Sequence, residues 1–114
     1  MKMPSLSLVV LRCRDLEASR AFYELLELSF VEEKHGAGPK HYSCQLGGTV
    51  LELYPLTTEG TPGLRLGIEV TADRHRLVSQ LGARGYDVKR LSDDRVLVVD
   101  PDGHKVEVCW VQPS

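Results

Sequence analysis

Two carboxylates stand in the middle of otherwise apolar strands. Glu52 lies inside Val50-Leu51-Glu52-Leu53-Tyr54, and Glu107 lies inside Lys105-Val106-Glu107-Val108-Cys109. Side chains alternate across a strand. Val50, Glu52 and Tyr54 therefore share one face, and so do Lys105, Glu107 and Cys109. The same alternation groups Leu8 with Val10 and Arg12, and Arg65 with Gly67 and Glu69. The opposite faces, Leu51-Leu53 and Leu66-Ile68-Val70, are apolar and should meet helices. A carboxylate with apolar neighbours needs a partner, because an unpaired buried charge is costly. Arg12 and Arg65 are candidate counter-charges or anchors for an anionic ligand, and Tyr54 is a flat wall for a planar one. Of the four histidines, His41 starts a strand whose Ser43 and Gln45 can face this surface. His35 beside a glycine loop reads as solvated, His75 as helical and His104 as part of a turn. No Ser/His/Asp or Cys/His set stands at recognised motif spacing, and no P-loop or GxGxxG is present.

Recurring strand and helix signals position these residues. Ser5 to Cys13 reads as a strand, followed by Asp15 as helix N-cap and a helix of period 3.6 over Leu16 to Leu28. Leu28 to Lys34 reads as a strand, 35–40 as a loop and His41 to Leu46 as a strand. Gly47-Gly48 is a hairpin turn, and Thr49 to Tyr54 is the returning strand. The order then repeats: strand Leu64 to Val70, a helix capped by Thr71 or Asp73 and running to about Arg84, and Gly85 at the left-handed position after it. Strands follow at Val88 to Leu91, Arg95 to Val99 and Lys105 to Trp110. Asp100-Pro101-Asp102-Gly103 is a turn, and Trp110 falls on the helix-side face. Both halves read β-α-β-β-β, an internal repeat that defines the fold. One domain is expected, with module one about 5–55, a linker at 56–63 and module two about 64–111.

The 114 residues carry 42% hydrophobic and 26% charged side chains, with a formal net charge of -2. No basic surface marks a nucleic-acid partner, and no apolar run reaches the ~18–20 residues that span a bilayer. Met1 to Ser7 lacks the apolar segment of a signal peptide. Cys13, Cys44 and Cys109 are odd in number and widely spaced, which argues against a disulfide framework and for a reducing, cytoplasmic setting. Cys109 shares the Glu107 face, with nothing in sequence to activate it.

Three segments resemble the vicinal oxygen chelate superfamily, which groups glyoxalases, bleomycin-resistance proteins and extradiol dioxygenases. They are Arg14-Asp15-Leu16-Glu17-Ala18-Ser19-Arg20-Ala21-Phe22-Tyr23, Gly47-Gly48-Thr49-Val50-Leu51-Glu52-Leu53 and Asp100-Pro101-Asp102-Gly103-His104-Lys105-Val106-Glu107-Val108. The resemblance implies an α+β fold of tandem βαβββ modules, with curled mixed sheets around a shared concave cleft. In metal-dependent members, ligands come from the first and last strand of each module. Carried over by position, the last-strand ligands are Glu52 and Glu107, while the first-strand positions hold Leu8 and Arg65, neither a metal ligand.

A metal next to Arg65 is disfavoured, because like unit charges about 4 Å apart repel by about 4 kcal/mol at an effective dielectric of about 20. Arg65 is then the substitute cation, bridging one or both Glu residues or anchoring an anionic ligand. The resemblance thus implies a protein that binds a small anionic or planar molecule in the inter-module cleft, with Glu52, Arg65, Glu107, Arg12, Tyr54 and His41 as contacts, no cofactor and a homodimeric assembly. The alternative is a lyase, isomerase or dioxygenase holding zinc, nickel, manganese or iron on Glu52 and Glu107, with His41 or Gln45 filling a vacancy. A third reading is an interaction module with a vestigial cleft. Substrate identity, and pairing of modules within or across chains, stay open in the sequence.

Overall fold

The fold is that of a computed structural model, which describes residues 6, 8–57 and 64–110. Module one runs β1 (Leu8–Cys13), α1 (Leu16–Leu25), β2 (Val31–Glu33), β3 (His41–Leu46) and β4 (Thr49–Pro55). Module two runs β5 (Arg65–Val70), α2 (Arg74–Ala83), β6 (Val88–Ser92), β7 (Arg95–Val99) and β8 (Lys105–Trp110). Each module forms its own four-stranded sheet, ordered β1-β4-β3-β2 and β5-β8-β7-β6. The last strand of each module lies parallel to its first, and the remaining pairs are antiparallel. This is the tandem βαβββ architecture that the repeat predicts. Predicted linker positions 58–63, and Ser5 and Ser7 of the first predicted strand, lie outside the described residues.

Asp15 caps α1 through a 3.0 Å acceptance from the Ala18 amide, and Asp73, the second of the two predicted candidates, caps α2 through Arg76 at 2.9 Å. Helix α1 ends at Leu25, three residues short of the periodic pattern, and β2 starts at Val31 rather than Leu28. The reason is a left-handed turn at Glu27, φ 70°. It sends the Leu28 amide back to the Tyr23 carbonyl at 3.3 Å and buries the Leu28 side chain. Module two closes its helix the same way, with Tyr86 bonded to the Leu81 carbonyl at 3.0 Å and Gly85 at φ 87°. Glu27 thus occupies a position that favours glycine.

The helices cover one face of each sheet. Phe22, Leu26, Leu51 and Leu53 are buried in module one, and Ile68, Val70, Leu77, Leu81, Val106 and Val108 in module two. Trp110 packs on this side and donates its indole N–H to the Ala72 carbonyl at 2.9 Å. Phe22 meets Tyr86 edge-on across the modules, with ring centroids 4.9 Å apart.

A buried polar joint completes the union. Tyr23 Oη donates to Asp100 Oδ2 at 2.7 Å, and Ser19 Oγ to Asp102 Oδ2 at 3.0 Å. The Arg14 amide donates to Asp102 Oδ1 at 2.8 Å. The amides of Asp102 and His104 both donate to Asp100 Oδ1 at 2.9 Å. The predicted turn is present, closed by Gly103 N–H to the Asp100 carbonyl at 3.1 Å. Its carboxylates, however, point into the protein rather than into solvent, and His104 is buried with them. Burial, and then the charge of Asp100, push the Tyr23 hydroxyl well above the ordinary phenol range, so it stays a donor. Burial pushes the Cys13 thiol up to about 11. No helix among the described residues is long and apolar enough to cross a membrane.

Asp100→Ala strands three donors in the interior and should cost about 3 kcal/mol in urea unfolding. Tyr23→Phe should cost about 1 kcal/mol, and Asp93→Ala, at a side chain 95% exposed, under about 0.5 kcal/mol. Glu27→Gly should raise stability by about 0.5 kcal/mol, since relief of left-handed strain outweighs glycine's extra chain entropy.

Candidate functional site

Each sheet leaves its second face uncovered, and the predicted polar alternates lie there. The strand register pairs Leu8 with Val50, Val10 with Glu52 and Arg12 with Tyr54. It also pairs Arg65 with Lys105, Gly67 with Glu107 and Glu69 with Cys109. Among the described residues, every hydrogen bond and ion pair made by these side chains stays within its own sheet. Leu8 and Val10 remain 49% and 37% exposed, so a single chain leaves these faces open to solvent.

On the first sheet a row of side chains crosses all four strands. The Arg12 guanidinium lies over the Tyr54 ring at 5.1 Å. His41 stacks on the same ring at 4.1 Å with the planes 10° apart. Glu33 faces His41 across β2 and β3. His41 is buried. Its Nδ1 lies 3.2 Å from the Pro39 carbonyl, which can only accept, so Nδ1 carries a proton. Its Nε2 lies 3.3 Å from Glu33 Oε1, 3.6 Å from Glu52 Oε2 and 3.3 Å from Tyr54 Oη.

On the second sheet Glu107 is gripped from both sides. Its Oε2 accepts from Arg65 Nε at 2.5 Å and its Oε1 from Arg95 Nη1 at 3.3 Å. The Arg65 hydrogen bond, followed by the charges of Arg65 and Arg95, holds the Glu107 carboxyl below the ordinary carboxylate range. Arg95 also reaches Cys109 Sγ at 4.0 Å.

Sequence reasoning brings Arg65 to one or both glutamates. In the fold it takes Glu107, and Glu52 takes His41 instead. Sequence reasoning missed Arg95 and Glu33. Both are reached only through antiparallel neighbours, β7 beside β8 and β2 beside β3, whose register depends on turns. Gln45 turns to the hairpin, donating to the Gly47 carbonyl at 2.7 Å, and His75 is exposed on α2.

The four positions given by the family resemblance do not fit a metal ion. Leu8 offers no donor atom and Arg65 is a cation. Glu52 faces His41, and both Glu107 oxygens are engaged by guanidinium groups. A 510 Å³ pocket lies at the junction of the two modules, lined by Val9, Leu46, Leu51, Ile68 and Glu69 and including Arg65 of the four positions.

Residues 5–108 match the Glyoxalase/Bleomycin resistance protein/Dioxygenase superfamily, and the chain belongs to it. No curated protein matches the sequence. Among solved structures it is similar to TnmS3, an antibiotic binding protein from Streptomyces sp. CB03234, at 21% identity and TM-score 0.73, covering 98% of this chain and 99% of that one. The oxidase ChaP-H2 superposes with TM-score 0.75 at 15% identity, covering 97% and 96%. A lactoylglutathione lyase from Agrobacterium tumefaciens does so with TM-score 0.67 at 19% identity, covering 96% of each chain. At such identities the likeness is one of fold, and one fold hosts many chemistries.

The lowered Glu107 value means that its ion pairs stabilise the fold above the ordinary carboxylate value of 4.5 and are lost as pH falls through the lowered one. Carboxylate carbon NMR should find Glu107 titrating below 4.5 in the wild type and moving up towards it in Arg65→Ala. An unmoved titration would remove Arg65 as its main partner.

Proposed function

We propose that this protein binds a planar organic molecule carrying an anionic group, and holds it between the uncovered faces of the two sheets in a homodimer. The observation that carries the reading is the make-up of the first sheet's open face. Leu8, Val10 and Val31 are exposed there beside Tyr54 and Arg12. An exposed apolar strand face of this kind calls for a cover. The second sheet's open face is instead charged, with Arg65, Lys105, Arg95, Glu69 and Glu107. A second copy laid so that its charged face roofs the apolar one satisfies the two-fold symmetry of a dimer. The cleft so made has an aromatic, aliphatic floor for a ring system and guanidinium groups for its anion.

Retention without chemistry is the favoured outcome of this site. It agrees with the antibiotic binding described for TnmS3, and with Glu107 oxygens already committed to arginines. The three free thiols suit a cytoplasmic setting.

Sedimentation should show a dimer, and Val10→Asp on the open face should shift it to half the mass. Calorimetry of the chelator-treated protein against planar aromatic carboxylates should yield a ligand whose affinity falls about tenfold or more in Tyr54→Ala and in Arg65→Ala. A monomer that binds no member of the panel would overturn the reading. A metal ion bound stoichiometrically and lost in both Glu52→Gln and Glu107→Gln would replace it with the metal-dependent lyase, isomerase or dioxygenase.

A further inference from the structure

One cluster on the first sheet has ligand chemistry that neither the cleft nor the family positions use. Among the described residues, Glu33, His35 and His41 form the one group of three or more His, Cys, Asp or Glu side chains whose ligand atoms all lie within 4.8 Å of one another. From this group we infer a zinc-type divalent metal site at the β2–β3 end of the open face.

Three observations carry it. First, the His41 side chain is 2% exposed, and its Nδ1–H is fixed on the Pro39 carbonyl. That is the support a metal-binding imidazole receives from outside the coordination sphere, and it presents the Nε2 lone pair as the free donor. Second, Nε2 faces two carboxylates, Glu33 Oε1 at 3.3 Å and Glu52 Oε2 at 3.6 Å. Tyr54 Oη also lies 3.3 Å from Nε2, on a ring stacked parallel to the imidazole. A buried imidazole nitrogen facing two carboxylates calls for a cation between them, either a proton or a metal ion. Third, the spacing is right. Zinc–ligand bonds of about 2.0–2.1 Å at tetrahedral angles set ligand atoms about 3.3–3.4 Å apart. His41 and Glu33 already stand 3.3 Å apart, and His35 Nε2 is 3.9 Å from Glu33 Oε1 on a 75% exposed side chain free to swing inward.

Two imidazoles and a carboxylate make the three-ligand set that leaves zinc a fourth, exchangeable position. Glu52 and Tyr54 stand beside the cluster, 3.6 Å and 3.3 Å from His41 Nε2. The site includes neither Glu107 nor its partners Arg65 and Arg95, whose guanidinium charges would repel a metal.

Zinc titrated by calorimetry into the chelator-stripped protein should bind once per chain, and cobalt(II) should give the visible bands of a four-coordinate ion. His41→Gln and Glu33→Gln should each weaken zinc by at least about tenfold, the least that loss of even a supporting partner costs a metal site. His35→Ala, at an exposed side chain that folding does not need, should do the same. Glu107→Gln should leave the titration unchanged. Imidazole nitrogen NMR should find the His41 Nε2 resonance shifted by zinc. Absence of zinc binding, binding unaffected by His35→Ala, or a doubly protonated His41 ring that zinc does not move would each overturn the site.

Discussion

The hydrogen bond from Tyr23 to Asp100, with the donors gathered around it, is what makes two modules into one protein. Asp100 is a carboxylate in the interior, and it is tolerated there because three donors converge on it. Two of those donors are backbone amides of its own turn, and the third comes from a helix of the other module. Asp102 repeats the arrangement with Ser19 and the Arg14 amide. The turn before β8 therefore fixes the start of α1, and through it the direction in which each sheet presents its uncovered face.

Electrostatic pairing on those faces follows from geometry that differs between the modules. The two glutamates are equivalent in the repeat, each on the last strand of its module. Glu107 finds guanidinium groups on both diagonals and is held ionised. Glu52 finds an imidazole whose other nitrogen is already committed to a backbone carbonyl. One carboxylate is thus neutralised within its own sheet, and the other stands in a cluster rich in acceptors. The repeat has kept the scaffold and diverged in charge, which is how one superfamily fold serves unlike ligands.

Much of the fold was legible in the residues. Strand alternation placed Glu52, Tyr54, Arg65 and Glu107 on the faces they occupy, because a period of two leaves no freedom once the strand is known. Asp15, Asp73, Gly47 and Gly85 marked caps and turns through local chemistry alone. The end of α1 was not legible. The apolar period runs on through Leu28, and only the left-handed turn at Glu27, a residue with no local preference for it, breaks the helix.

The sequence by itself determined the elements, their order and which side of each strand faces the helices, since these depend on neighbours a few residues apart. Partners lay beyond it. That Asp100 and Asp102 turn inward, that Arg95 shares Glu107, and that Glu33 and His35 close on His41 are contacts across 77, 83, 12, 8 and 6 positions of chain. Such contacts are set by how strands register and how modules dock. A side chain's type states what it can bind, but only the packed fold decides which of its possible partners is within reach.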